Sequence, residues 1–311
     1  MIEVHDLYKK YGKCVVLDRL SFSLKKGEVF GFVGPNGVGK TTTMRIMSGL
    51  LKADSGKVYI ENLDVEKDSS ELKSKIGYMP DFFGVYDNLK VIEYMEFYAS
   101  IYGIVGKDAH KLCMELLDRI NLTEKADSYV DELSRGMKQK LCLARCMVHN
   151  PDILILDEPF SGLDPGARHE MRKFINMIRE MNKTIIISSH ILSELSEMCT
   201  TIGIINNGKM IVKGTEDEIM MHFNAANPMK MRILGGKEEA ISILKKDDRV
   251  NSISIEDEYI IIGFTGGVED EADLLKKLID KGVIISSFVR EKGSLEQLFL
   301  KVTGRQEVLK G

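Results

Sequence analysis

The sequence has no dense run of lysine or arginine, and its net charge of −4 supplies no overall field for nucleic acid. Long apolar runs are missing too. Stretches such as Ile153 to Leu156 and Tyr259 to Phe264 are strand-sized, well short of the roughly 20 residues that a spanning helix needs. The opening Met1-Ile-Glu-Val-His-Asp6 carries neither the basic nor the apolar region of a signal peptide. Any membrane role is therefore expected to come from a partner. Five cysteines, Cys14, Cys113, Cys142, Cys146 and Cys199, are scattered without a ligand-type cluster, which fits reduced thiols in a cytosolic protein. Cys142 and Cys146 stand at helical i,i+4 spacing; burial on the core side of a helix is the expectation, a metal pair the alternative.

What is present centres on Gly34-Pro-Asn-Gly-Val-Gly-Lys-Thr-Thr42. Gly34, Gly39, Lys40 and Thr41 match Gly, any four residues, Gly-Lys-Ser/Thr at each fixed position. The apolar Val29 to Val33 precedes it and the helix-like Thr42 to Met47 comes after, so strand, loop and helix are all expected. Pro35, Asn36, Gly37 and Val38 complete a loop whose backbone N–H groups turn toward a polyphosphate, aided by the helix N-terminus. Lys40 is expected at the β- and γ-phosphates and the Thr41 hydroxyl on Mg²⁺.

A second signal lies at Ile153-Leu-Ile-Leu156, read as a strand buried on both faces, which ends in Asp157-Glu158-Pro159. The carboxyl ends of such strands are where α/β sheets bind ligands. If the extended geometry persists, the two carboxylates point apart. Asp157 then suits Mg²⁺, directly or through water, and Glu158 suits polarising an attacking water. Thr184 to His190 repeats the arrangement; His190 is a candidate for catalysis or a hydrogen-bonded structural residue. Upstream, Tyr11 at the turn between two strands is either an adenine-stacking ring or a half-buried strand residue. Val91 to Tyr102, Asp108 to Ile120 and Met137 to Val148 have helical spacing, with Ser134 as N-cap of the last.

After Asn224 to Pro228, of linker character, the predicted order is β-α-β-β-α-β, that of a small ferredoxin-like sandwich, with a terminal helix from Ser294 to Val302. The expected domains are residues 1–223 with a helical insert at about 82–150, a linker at 224–228, and an accessory domain at 229–311.

Together these motifs resemble the nucleotide-binding domain of an ABC transporter. GPNGVGKTT is similar to the Walker A loop and ILILDEP to the Walker B strand. LSRGM, Leu133 to Met137, resembles the ABC signature, SGLD ending at Asp164 the D-loop, and His190 the switch histidine. The small second domain resembles that of ATP-binding subunits serving a separately encoded permease, mostly exporters. The resemblance implies an α/β P-loop NTPase core with a helical subdomain, joined to an α+β domain. It implies a head-to-tail dimer, homodimeric or of paralogues, in which Ser134, Arg135 and Gly136 act on the partner's ATP. Tyr11 becomes the adenine platform, Glu158 the general base, His190 the holder of the γ-phosphate, and Asp164 a contact to the partner. The implied location is cytoplasmic, on the inner face of the membrane through a permease.

Two positions depart from the family pattern. Asp81 stands where glutamine is common, either as a Mg²⁺ ligand reached through water or as part of a mechanical hinge. Arg135 and Met137 stand where Gly and Gln are commonest, and Arg135 either suits phosphate or is solvated. The rival function is a non-transport ABC ATPase acting on ribosomes or DNA; a single cassette, no sustained heptads and no basic patch argue against it.

Overall fold

The computed structural model describes residues 1–81, 88–223, 228–290 and 299, with backbone alone at 220–223. It separates into two units, Met1–Thr215 and Glu216–Gly311.

The first unit opens with the hairpin β1 (Ile2–Tyr11) and β2 (Cys14–Leu24), then β3 (Val29–Val33) and α1 (Lys40–Met47). Next come β4 (Ser55–Ile60), β5 (Leu63–Asp64), α2 (Ser69–Lys75) and β6 (Ile76–Met79). A helical stretch of α3 (Val91–Ile101), α4 (Gly106–Arg119) and α5 (Arg135–Met147) leads to β7 (Ile153–Leu156). The unit closes with α6 (Pro165–Glu180), β8 (Thr184–Ser189), α7 (Leu192–Ser196), β9 (Thr201–Asn206) and β10 (Lys209–Gly214).

These strands form two sheets. One is antiparallel, in the order β2-β1-β4-β5; the other runs β10-β9-β3-β8-β7-β6, parallel except for β10. Every residue of β3, β7 and β8 is buried, which accounts for the apolar runs Val29–Val33, Ile153–Leu156 and Ile185 to Ile187. Leu7, Leu17, Phe22 and Ile60 from the antiparallel sheet share a core with Met44 and Met47 of α1 and with Phe30, Ile155 and Ile186 of the parallel sheet. Phe22 stacks on Phe30 with ring centroids 5.5 Å apart. Each such side chain contributes about 1.5–3 kcal/mol by leaving water, so α1 and the loop before it rest on a rigid floor.

In the helical stretch α3 buries Val91, Tyr94, Met95 and Ala99, and α4 buries Ala109, Cys113, Leu116 and Leu117, both at i,i+3/i+4 spacing. Cys142 and Cys146 are buried on α5, and among the described residues no group of three or more His, Cys, Asp or Glu is placed to hold a metal.

The division between units comes after Thr215 rather than after Phe223, so α8 (Glu216–Phe223) groups with the second unit. The reason is visible in the ladder: β10 makes its last pairing with β9 at Gly214, opposite Ile202, before α8 begins. Of the expected linker, 224–227 lie outside the described residues, and Pro228 opens β11 (Pro228–Gly235). α9 (Lys237–Lys246), β12 (Val250–Glu256), β13 (Tyr259–Phe264), α10 (Val268–Asp280) and β14 (Ile284–Arg290) complete it. The sheet order β12-β13-β11-β14, with antiparallel neighbours throughout, is that of a ferredoxin-like fold. Met229, Met231, Ile260 and Ile262 pack there with Leu244 of α9 and with Leu274 and Leu278 of α10. The expected helix at 294–302 lies outside the described residues, save for the buried, helical Phe299.

Candidate functional site

At the carboxyl end of β3 the chain leaves the sheet and loops into α1. Gly39 occupies the N-cap of α1 at φ 108°, a left-handed conformation that suits glycine. Space demands glycine as well, because a Cβ there would come within 2.5 Å of Leu17 Cδ2. Val38 packs on the core beneath, and the Thr43 hydroxyl donates to the Gly39 carbonyl at 2.8 Å. Lys40, only 6% exposed, bends back across the loop. Its Nζ donates to Gly34 O at 2.7 Å and Pro35 O at 3.2 Å, and lies 3.4 Å from Glu158 Oε1.

The opposite wall is built by β7 and β8. Asp157 continues the sheet, its N–H donating to Met79 O at 2.8 Å. Extended geometry ends there, for Glu158 has φ 49°. The divergence of the two carboxylates thus comes from a sharp turn rather than from strand alternation. Ser188 joins them: its hydroxyl donates to Asp157 Oδ1 at 2.7 Å and accepts from the Glu158 N–H at 2.8 Å. Burial pushes the Asp157 carboxyl above its ordinary range, against the hydrogen bond from Ser188 and the pull of the nearby Thr41 hydroxyl. Its second oxygen, Oδ2, is buried with no hydrogen-bond partner among the described residues. An orphaned carboxylate oxygen beside a threonine hydroxyl fits Mg²⁺, which takes one or two protein ligands and completes its shell from phosphate and water.

His190 comes directly after β8 and places Nδ1 2.9 Å from Glu158 Oε2, so Glu158 sits between an ammonium and an imidazole. Asn36, Gly37, Gly39, Lys40, Thr41, Thr42, Asp81, Glu158 and His190 converge on one open cleft of about 450 Å³. Val16 and Ser161 also line it; Ser161 opens the SGLD motif, and Val16 does not stand out in the sequence. The signal for Ser188 is a hydroxyl inside a buried strand. Partial burial, then the Glu158 charge, push the Asp81 carboxyl up.

Other candidates lie outside this cleft. Tyr11 is 50% exposed at the end of β1, with Lys9 Nζ 5.8 Å from its ring centroid; Val16 lines the cleft instead. Ser134 is the exposed N-cap of α5, accepting from the Met137 N–H at 3.3 Å. Gly136 faces Ala167 of α6 so closely that a Cβ would lie 2.9 Å away. Arg135 folds onto Gly162 of the same chain. Asp164 caps α6, its Oδ1 accepting from the Ala167 N–H at 2.9 Å ahead of Pro165.

A glycine loop at a helix start, closed by a lysine and facing an Asp-Glu pair at a parallel strand end, defines a P-loop NTPase. The ABC transporter family profile matches residues 17–161. Bacitracin transport ATP-binding protein BcrA of Bacillus licheniformis is 34% identical over 98% of this chain and 97% of its own. Linearmycin resistance ATP-binding protein LnrL of Bacillus subtilis (strain 168) is 31% identical over 98% and 99%. A solved ATP-binding subunit of an ABC transporter superposes with a TM-score of 0.66 at 30% identity, covering 72% of this chain and 93% of that one. The chain belongs to the ATP-binding subunits of the ABC transporter family, and it is an ATPase. No helix among the described residues is long and apolar enough to cross a membrane.

Proposed function

We propose that this chain powers a separate integral-membrane permease, working as an exporter from the cytoplasmic face and as a dimer of two cassettes. The observation that carries the reading is Glu158, set between Lys40 and His190 at the mouth of the phosphate loop. Lys40 exchanges the carbonyls of Gly34 and Pro35 for the β- and γ-phosphates of ATP, to which the loop's other residues, Asn36, Gly37, Val38, Thr41 and Thr42, present the backbone. Glu158, released from Lys40, accepts the proton of the attacking water, while His190 steadies the γ-phosphate. Thr41 and Asp157 would hold Mg²⁺, with Asp81 at one remove, and the ion supplies charge neutralisation to the phosphates. Tyr11 supports the adenine ring. Ser134 and Gly136, at the start of α5, serve the nucleotide of a second copy, and Asp164 contacts that copy. Relatives named for bacitracin transport and linearmycin resistance support the exporter reading.

Complementation tests the arrangement. Lys40→Ala and Ser134→Ala each abolish ATP turnover, but a head-to-tail dimer formed from one of each retains one intact site. Mixing the two inactive variants is expected to restore turnover. Failure to restore it, with both variants folded, would remove Ser134 from its role in trans. Membrane attachment is read separately, by fractionation with and without a co-expressed multi-span partner.

A further inference from the structure

Glu194 of α7 carries a carboxylate into the interior, only 4% exposed, and takes no part in the cleft already described. A charge withdrawn from water is costly unless it is paired and its oxygens are occupied. Both oxygens of Glu194 have partners. Oε2 accepts from the Ser189 hydroxyl at 2.7 Å, and Oε1 forms an ion pair with Arg168 of α6, whose buried Nε lies 3.4 Å away. These partners lead to two different turns. Ser189 is the buried last residue of β8, and its Oγ also accepts from the Ile191 N–H at 3.0 Å. One hydroxyl, itself steered by Glu194, therefore spans His190 and fixes the bend from which that exposed ring reaches Glu158 Oε2 at 2.9 Å. On the other side, Arg168 Nη2 donates to Leu163 O at 3.3 Å, one residue before Asp164. Gln139 of α5 fastens the same turn at its start, with Nε2 donating to Ser161 O at 3.0 Å.

We propose that Glu194 is a positioning residue for ATP hydrolysis: by gripping Ser189 with one oxygen and Arg168 with the other, it keeps the backbone that aims His190 in register with the turn that ends at Asp164. An ion pair serving the fold alone could be exchanged for apolar side chains of similar volume at little cost. Here the exchange frees a histidine whose ring must keep its place to within about 0.5 Å, and a misplacement of about 1 Å can lower turnover by ~10²-fold. Glu194 touches neither nucleotide nor attacking water; it acts through Ser189 and the histidine. This rests on the reading that His190 steadies the γ-phosphate.

The test reads turnover of the full chain beside the ring nitrogens of His190. Glu194→Ala is expected to lower kcat roughly 10- to 100-fold while ATP affinity, set by the phosphate loop, stays within about twofold. Ser189→Ala deletes the hydroxyl and leaves the buried ion pair intact; it should lower kcat roughly tenfold, and it tests the same link if Glu194→Ala does not fold. Arg168→Met should lower kcat in the same sense, and its loss combined with that of Ser189→Ala should be less than multiplicative, since both act through one carboxylate. Spectra of ¹⁵N-labelled histidine without nucleotide give a reading that a general loss of stability does not move. In Glu194→Ala and Ser189→Ala the His190 ring nitrogens should shift toward their values in Glu158→Ala, where the 2.9 Å bond is absent. Unchanged ring nitrogens, a kcat within about twofold of wild type in either variant, or losses that multiply in full would each overturn the role of Glu194 while His190 keeps its own. His190→Ala with wild-type turnover would overturn both.

Discussion

Replacing Glu158 with glutamine removes a charge while keeping shape, and the distances around it set the size of each effect. At 3.4 Å, with an effective dielectric of about 20, the attraction between Glu158 and Lys40 is roughly 5 kcal/mol before desolvation. Desolvation of two largely buried side chains cancels much of it. Lys40 also keeps its bonds to Gly34 O and Pro35 O, so the net stability change should stay within about 1–2 kcal/mol. Glutamine has one acceptor and one donor group at its end. Its oxygen can face Lys40 and its NH₂ can donate to His190 Nδ1 if the imidazole proton moves to Nε2, so the local arrangement survives. The proton acceptor does not. Loss of a general base lowers turnover by ~10²- to 10⁴-fold, about 3 to 5 kcal/mol of barrier. ATP binding should hold or tighten, since a negative charge has left the region of the γ-phosphate. Single-turnover phosphate release with Mg·ATP, read beside nucleotide affinity, gives both quantities. A glutamine variant that releases phosphate within about fivefold of wild type would show that another group takes the proton.

Other consequences can be measured alongside. Gly39→Ala forces a Cβ against Leu17 Cδ2 at φ 108° and should cost about 1–3 kcal/mol, with roughly tenfold or weaker ATP binding, read by melting and calorimetry. Arg249 hydrogen-bonds Asp247, Asp270 and Asp273, and chiefly through that bond the Asp247 carboxyl is held below its ordinary 3.8. A depressed acid stabilises the fold above its unfolded value, and that contribution fades as pH falls. Arg249→Met should therefore destabilise the second unit by about 1–3 kcal/mol at neutral pH, with a penalty that holds down to about pH 4 and shrinks as pH falls further below it, read in melting curves. A fragment ending at Thr215 should melt cooperatively and bind Mg·ATP; a broad, non-cooperative melt would make the second unit integral to the first.

Much of the fold and the cleft is legible in the sequence because the signals are local. Strand, glycine loop and helix succeed one another within Val29 to Met47, and the buried run Ile153–Leu156 with its terminal acids needs no long-range information. The alternating and helical patterns after Met229 are equally self-contained. Harder features depend on residues far apart in the chain. Ser188 matters only because β8 lies beside β7, and Gln139 only because α5 reaches Ser161. α6 is easily passed over although Asp164 and Pro165 mark its start, because SGLD draws attention as a motif rather than as a cap. The boundary between units shifts for a related reason: α8 comes straight after a hairpin, and composition cannot say to which core it belongs.

Ser188 has a further consequence. Since one hydroxyl ties the carboxylate of Asp157 to the amide of Glu158, the backbones that carry Glu158 and His190 are gauged by the spacing of two neighbouring strands, about 4.8 Å in any sheet. A working cycle cannot widen that backbone spacing without unzipping the ladder. Movement during turnover must fall instead on parts with replaceable tethers, and the ammonium of Lys40, moored to two carbonyls that a phosphate can outbid, is the first of these.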